Sequence, residues 1–233
     1  MIKFFKNHKN ILAVISERNE GSMKLLKSKV DDKNRSNFLI ECGIDSKKVV
    51  AADLVHGRDV IIVDNKSLQI VSGADALVTR ENIFLSITVA DCVPVYFYDK
   101  ENNIMGLAHA GWRGVVGNIA KNTLDKMMEL GAEAEVIEAV LGPGIKRCHF
   151  EIQEDVLGKF KRYPQFIRRK RNRIFVDLFG IIKKQLLDFG IKNENIFISP
   201  ECTFEDEKRF FSYRRDKPKV AEVMMAIIGM RDN

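Results

Sequence analysis

The sequence has no long hydrophobic segment and no recognisable export signal. No apolar run approaches the roughly 18 residues that a membrane-spanning helix needs, so we expect no membrane partner. The opening MIKFFKNHKN lacks the apolar core and the small-residue cleavage site of a signal peptide. These absences predict a cytoplasmic protein.

Cysteine and histidine are also scarce. The chain has only four cysteines, and they are widely spaced with no CxxC pair: Cys42, Cys92, Cys148 and Cys202. In a chain without an export signal, this pattern favours reduced thiols over a disulfide framework. At least one thiol is therefore available for chemistry.

The overall composition is that of an ordinary globular protein, with 45% hydrophobic and 30% charged residues among 233. One domain over residues 1–233 is the simplest organisation. The net charge is +6, but the basic residues are concentrated only in residues 159–173. We interpret that segment as a solvated loop with Phe160, Tyr163 and Phe166 turned inward. Nucleic acid is therefore not an expected partner.

Hydrophobic periodicity predicts a β-rich middle with helices on either side. The predicted strands cover residues 11–15, 48–54, 60–63, 76–79, 83–90, 95–98, 104–108, 134–141 and 196–199, and residues 220–228 form an apolar C-terminal segment. The predicted helices cover residues 34–41, 118–130, 151–160 and 178–189. One mixed α/β domain accounts for this order.

Three residues suited to metal binding stand at the ends of predicted strands. His56 lies in VHGRD, Cys92 in ADCVP and His109 in AHAGW. Side chains at strand ends can converge while the sheet anchors the backbone. Two imidazoles and one thiolate suit Zn²⁺, and three protein ligands leave the fourth position open for water, as in catalytic zinc sites. Spacing alone leaves packed structural roles open for each of them.

Two neighbouring features extend this hypothesis. Asp91 precedes Cys92 and is a candidate general base or acceptor for a ligand imidazole, with a turn or capping role as the alternative. The segment HAGWRGVVGN places Arg113 and three glycines before a predicted helix, which is typical of an anion site for phosphate. A glycine-rich turn with a surface arginine is the alternative.

Several longer motifs are similar to those of one known family. VHG, GADALVT, ADCVPVYFYD, GLAHAGWRG, LGPGIKRCHFEI, VDL and CTF…FFSYRRD, in this order from about residue 11 to 216, resemble the YfiH/laccase-domain family. The resemblance implies that His56, Cys92 and His109 bind zinc. It also implies a single-domain α/β/β/α sandwich with mixed sheets, similar to the catalytic domain of a cytotoxic necrotising factor.

The function implied by the resemblance is that of a zinc-dependent purine nucleoside enzyme. Its reactions would be phosphorolysis of adenosine, inosine and S-methyl-5′-thioadenosine, and deamination of adenosine, with purine nucleoside and phosphate as partners. Asp91 and Arg113 are then the catalytic candidates. Arg18, Arg113, Gly114 and Glu151 are the candidates for substrate or phosphate binding. The chain departs from the family pattern at Leu54, where a glutamine is common, and after SYRRD, where a Gly-Arg pair is replaced.

Two other enzyme classes remain as alternatives. A copper-dependent, laccase-like polyphenol oxidase would place Cu²⁺ at the same three ligands, but a multicopper centre needs more imidazoles than four histidines provide. A metal-free hydrolase, including a cell-wall editing enzyme, would use Cys92 as nucleophile activated by His109.

Overall fold

The computed structural model describes residues 1–25 and 28–231 of the chain. The strands are β1 Ile2–Phe4, β2 Ile11–Ile15, β3 Val49–Asp53, β4 Val60–Ile62, β5 Ile70–Ser72, β6 Ala76–Thr79, β7 Phe84–Val89, β8 Val93–Asp99, β9 Ile104–Ala110, β10 Ile137–Leu141, β11 Glu151–Ile152, β12 Ile167–Lys170, β13 Arg173–Val176, β14 Ile196–Ile198 and β15 Met224–Met230. The helices are α1 Lys29–Cys42, α2 Trp112–Val116, α3 Ile119–Glu129, α4 Glu154–Leu157, α5 Leu178–Phe189 and α6 Tyr213–Asp216.

The strands form two six-stranded mixed sheets and one small sheet. The first sheet has the order β1-β2-β15-β7-β3-β5, and the second has the order β14-β10-β8-β9-β6-β4. In each sheet parallel pairs, such as β3 with β7 and β10 with β14, occur beside antiparallel ones. The small sheet, β11-β13-β12, is antiparallel.

The two large sheets pack face to face. Alternate side chains of each strand point to opposite sides, so one set from each sheet faces the other sheet. Ile15 and Ile87 of the first sheet share a buried core with Tyr96 and Leu107 of the second. The Tyr96 hydroxyl also donates a hydrogen bond to the carbonyl of Val14 across this layer, at 2.9 Å. The central layer of the molecule is therefore a sheet-on-sheet core.

Helices cover the outer face of each sheet. Phe38 and Leu39 of α1 pack with Val14 and Ile227, which point away from the central core. On the other side, α3 and α5 are amphipathic and bury residues such as Leu124 against the second sheet. The resulting α/β/β/α sandwich with mixed sheets confirms the predicted fold class.

Two predicted helices begin at other residues in the structure. Helix α1 begins at Lys29 rather than at residue 34, because the Ser28 side chain caps it by accepting from the backbone N–H of Asp31. The predicted helix at residues 151–160 begins later: Glu151 and Ile152 pair with β13, and residues 154–160 form α4 and a 3₁₀ turn. The helical spacing there reflects a strand and two short helical turns in succession.

The basic segment, residues 159–173, is not a single loop: residues 159–166 include short helical turns, and residues 167–173 belong to a β-hairpin. Strands β12 and β13 meet at a turn through Arg171 and Asn172, both in the left-handed region. Phe160 and Tyr163 are buried, as predicted, and Phe166 packs partly buried against the same core. The charged side chains of this segment point to solvent.

Within the described ranges, no helix combines the length and apolar character required to cross a membrane.

Candidate metal centre

Three chain segments from both large sheets bring His56, Cys92 and His109 together. His56 follows β3 of the first sheet, Cys92 immediately precedes β8 of the second, and His109 lies near the end of β9. In the antiparallel β8–β9 pair, Pro94 stands opposite His109, which brings Cys92 to the same end of the sheet. The ligand atoms of the three side chains all lie within 4.8 Å of one another.

Two residues of this site have left-handed backbone conformations. His56 has a φ of 58° and Asp91, next to Cys92, has a φ of 85°. Such conformations cost free energy for residues with side chains and persist when surrounding contacts fix them. The strain is therefore located at the two turns that present His56 and Cys92.

A buried carboxylate orients both histidine segments. The Asp75 side chain is fully buried; its Oδ1 lies 3.0 Å from His109 Nδ1, and its Oδ2 accepts from the backbone N–H of Gly57 at 2.6 Å. With Nδ1 engaged, His109 directs Nε2 toward His56 and Cys92. An imidazole held in this way by a carboxylate is typical of protein metal sites.

The sequence-based prediction did not identify Asp75 as a site residue. Its available signal was the GADALVT motif, in which Asp75 directly precedes β6. Strand β6 pairs with β9, and the Asp75 carbonyl accepts from the His109 N–H at 2.8 Å. Sheet register, rather than local spacing, places the carboxylate behind His109.

Burial and neighbouring charges shift the pKa values of the two imidazoles in opposite directions. Burial disfavours the charged form of His109, but Cys92 and Asp75 outweigh burial and raise the pKa of His109 to about 9 in the metal-free site. Burial, followed by the neighbouring His109, lowers the pKa of His56. The negative charge of Cys92 and Asp75 that favours a proton on His109 would also favour a metal cation at this position.

Glycines allow the surrounding backbone to approach the ligands. A Cβ at Gly111 would lie 3.1 Å from Cys92 Sγ and 3.4 Å from His109 Cε1. A Cβ at Gly114 would lie 2.8 Å from the carbonyl oxygen of Gly57. Gly111 thus leaves space at the ligand atoms, whereas Gly114 packs α2 against the segment that carries His56.

The three donors fit a borderline-soft divalent metal ion. Two imidazoles and one thiolate are the ligand types that Zn²⁺ and Cu²⁺ both accept, and three protein ligands leave one position for water or substrate. His109 is oriented by Asp75 and is buried, whereas His56 is exposed on the solvent side. The arrangement is that of a site with one accessible face.

This accessible face lies in a cavity of about 680 Å³ between the two sheets and α2. Its size is within the range of small-molecule sites. Besides the three candidate ligands, its walls include aromatic and cationic side chains: Trp112, Phe150, Tyr213, Lys24, Arg113 and Arg214. The cavity can therefore contact both a flat apolar ring and an anion.

Asp91 lines this cavity, but its carboxylate is engaged by the chain. Oδ1 accepts from the Thr203 hydroxyl and Oδ2 from the backbone N–H of Arg214, both at 2.7 Å. Its backbone carbonyl accepts from Ile145. Asp75, not Asp91, is the acceptor for the His109 imidazole. The hydrogen bonds give Asp91 the position of an anchor between the ligand segment and the loop after β14.

The four residues predicted to bind substrate or phosphate are distributed differently. Arg113 lines the cavity, and its guanidinium stacks over the Trp112 ring at 4.4 Å. Gly114 is buried within α2. Neither Arg18 nor Glu151 is among the described residues that line the cavity.

Both outlying residues are engaged in ion pairs. The Arg18 guanidinium pairs with Asp216 at 3.0 Å and lies over the Phe211 ring. The Glu151 carboxylate pairs with Arg173 of the basic hairpin. Two cationic wall residues, Lys24 and Arg214, were not among the predicted site residues, and the Arg214 guanidinium donates to the Glu151 carbonyl at 2.7 Å.

Comparisons with known proteins agree with this architecture. A family model described as multi-copper polyphenol oxidoreductase laccase matches residues 23–231. The chain is 34% identical over 200 residues to a purine nucleoside phosphorylase of Deinococcus radiodurans, covering 84% of this chain and 76% of that protein. It is 32% identical over 196 residues to adenosine deaminase RL5 from an unknown prokaryotic organism, covering 78% and 75%.

The fold is also similar to a solved structure. Superposition on the hypothetical protein YfiH of Bacillus licheniformis gives a TM-score of 0.89 at 28% identity and covers 95% of this chain and 93% of that one. The chain belongs to the multi-copper polyphenol oxidoreductase laccase family, the YfiH/laccase-domain family that its sequence motifs resemble.

Proposed function

We propose that this protein is a zinc-dependent purine nucleoside enzyme that catalyses phosphorolysis of adenosine, inosine and S-methyl-5′-thioadenosine and also deaminates adenosine. The observation that carries the proposal is the convergence of His56, Cys92 and His109 within 4.8 Å in a cavity of nucleoside size. The printed names of two relatives, a purine nucleoside phosphorylase and an adenosine deaminase, support both reactions.

In this proposal His56, Cys92 and His109 hold the zinc ion, and Asp75 keeps His109 in the tautomer that binds through Nε2. Bound zinc supplies a Lewis acid that lowers the pKa of water or polarises a substrate group. Deamination replaces the amino group at C6 of the purine with oxygen from water and releases ammonia. Phosphorolysis requires a phosphate held against the anomeric carbon of the sugar.

The cavity walls provide contacts for both substrates. Trp112, Phe150 and Tyr213 offer aromatic surface on which a purine ring stacks. Arg113 supplies the phosphate contact, because its guanidinium face lies on Trp112 while its N–H edge is available. Within the described residues, no hydrogen bond or ion pair from the chain occupies that edge.

Product analysis tests the proposal. Zinc-loaded protein is incubated with adenosine, with and without inorganic phosphate. Without phosphate we expect inosine and ammonia only. With phosphate we expect ammonia, adenine and ribose 1-phosphate, and part of the inosine should be converted to hypoxanthine. The His56→Ala variant should lose both activities, and His8→Ala, whose imidazole pairs with Glu138 far from the site, should retain them. Absence of all these products from zinc-loaded wild-type protein refutes the proposed function.

One observation supports a second candidate. Cys92, His109 and Asp75 form a chain of thiol, imidazole and buried carboxylate, which is the order of groups in cysteine hydrolases. A metal-free hydrolase would lose activity on alkylation of Cys92 and keep it in the presence of a chelator. The zinc enzyme would lose activity on chelation and regain it with Zn²⁺.

A further inference from the structure

A second group of thiol and imidazole side chains lies outside the cavity. Cys148 and His149 are in the loop after β10, residues 142–150, and Cys202 is in the loop after β14. Strands β10 and β14 are parallel neighbours, with Leu141 opposite Ile198, so both loops leave the same edge of the sheet. The loops are joined there by a bridge between Gly144 and Cys202.

The donor atoms of this group are already close together. The two sulfur atoms and the imidazole nitrogen lie within 4.8 Å of one another, and His149 Nδ1 is 3.9 Å from Cys202 Sγ. Glu205 adds a carboxylate oxygen 3.5 Å from both Cys148 Sγ and His149 Nδ1. Ligand atoms around a tetrahedral zinc ion are about 3.3–3.8 Å apart, given its usual bond lengths. Only small side-chain movements separate this group from such a geometry.

Two further contacts orient these ligands. The backbone N–H of Lys146 donates to Cys202 Sγ at 3.4 Å, an interaction that stabilises a thiolate. The His149 ring stacks on Phe204 with centroids 4.2 Å apart and planes inclined by 14°. Stacking fixes the ring with Nδ1 toward the sulfur atoms. Cys202 is buried while Cys148 is exposed, which leaves an entry path from solvent.

We propose that Cys148, His149, Cys202 and Glu205 form a second, structural binding site for Zn²⁺ or a similar thiophilic divalent cation. Four protein ligands without an open position are typical of structural zinc sites. The bound ion clamps the loop after β10 to the loop after β14. This site is distinct from His56, Cys92 and His109 and does not depend on the proposed reaction.

The clamp lies close in sequence to contacts that position the cavity. Thr203, next to Cys202, donates to Asp91 Oδ1, and Ile145 of the other loop donates to the Asp91 carbonyl. Both clamped loops therefore hold the residue that precedes Cys92. A metal ion at the second site would hold these contacts together without touching substrate.

Metal stoichiometry and Co²⁺ absorption test this proposal on the full chain. Metal-depleted, reduced protein is titrated with Zn²⁺ or Co²⁺. Wild-type protein should bind two equivalents, one for each group. The Cys148→Ser and Cys92→Ser variants should each bind one, and Cys42→Ser, a matched thiol outside both groups, should bind two. Cys148 is exposed, so its replacement leaves the core intact.

The absorption of the thiolate–cobalt bond separates the two sites. Cys92→Ser should retain this band, because Cys148 and Cys202 both belong to the second site. Cys92→Ser/Cys148→Ser should lose that residual band, because each substitution removes one of the two sites. A single equivalent in reduced wild-type protein overturns the proposal. So does loss of all thiolate–cobalt absorption in Cys92→Ser, or a Cys148–Cys202 disulfide that forms under these conditions and leaves no second equivalent.

Discussion

In an Asp75→Asn variant, one of two hydrogen-bond donors at the metal centre loses its acceptor. The carboxylate accepts from the backbone N–H of Gly57 and from His109 Nδ1. An amide of the same shape has only one oxygen. The Gly57 N–H cannot change its protonation, so the amide oxygen should pair with it. The amide nitrogen then faces His109, which moves its proton from Nδ1 to Nε2, the atom required for the metal.

The expected cost follows from this change of tautomer. Removing a carboxylate that orients a ligand imidazole typically weakens metal binding by about 10–100-fold, or about 1.4–2.8 kcal/mol. Because Asp75 is fully buried, we expect the upper part of that range. The dissociation constant for Zn²⁺ is measured by competition with a chromophoric chelator, using a background in which Cys148→Ser removes the second proposed site.

Asp99→Asn is the matched control. Asp99 is equally buried and accepts from the backbone N–H groups of Glu101, Asn102 and Glu133, remote from the metal centre. Both variants should lose stability, but only Asp75→Asn should lose zinc affinity. Equal zinc affinity in wild-type and Asp75→Asn protein would refute the role assigned to Asp75.

Three further predictions concern the same centre. Gly111→Ala should weaken Zn²⁺ binding roughly tenfold, because its Cβ would lie 3.1 Å from Cys92 Sγ. Gly158→Ala, with open space around it, should leave the affinity unchanged. Equal affinities of the two variants would contradict this prediction. The folded, metal-free protein raises the pKa of His109 from 6.5 to about 9, so this contribution to stability is complete below pH 6.5 and lost as pH rises through 9. The melting temperature of metal-free protein should fall over that interval, and His109→Gln should remove this fall. Arg113→Ala should raise the KM for phosphate about 10–100-fold and change the KM for adenosine less. Arg113→Lys should restore part of the affinity for phosphate. An unchanged KM for phosphate in Arg113→Ala would exclude the proposed contact between Arg113 and phosphate.

The elements that were predicted well have strong local signals. The ILAVI strand and the helix Leu178–Phe189, closed by Gly190, have the predicted bounds because periodicity and capping agree there. The hairpin β12–β13 was not predicted, since its strands are rich in arginine and their pairing depends on contacts distant in sequence. Periodicity cannot indicate such pairing.

The metal centre shows the same division. The three ligand candidates were predicted from their positions at the ends of predicted strands, because the sheet anchors the backbone there. Asp75 depends on the register of β6 against β9, which no local pattern records. Arg18 and Glu151 were candidates through family resemblance, and the structure pairs them with Asp216 and Arg173 outside the cavity. Their proposed roles in binding remain predictions.

The most direct measurement of the central claim is a zinc titration of metal-depleted Cys148→Ser protein, with inosine formation from adenosine as the readout. Activity should rise in proportion to the zinc bound and reach its maximum at one equivalent. The Cys92→Ser/Cys148→Ser double variant should show no activity at any zinc concentration. Full turnover by the metal-free protein, or turnover independent of the zinc bound at His56, Cys92 and His109, would contradict the account.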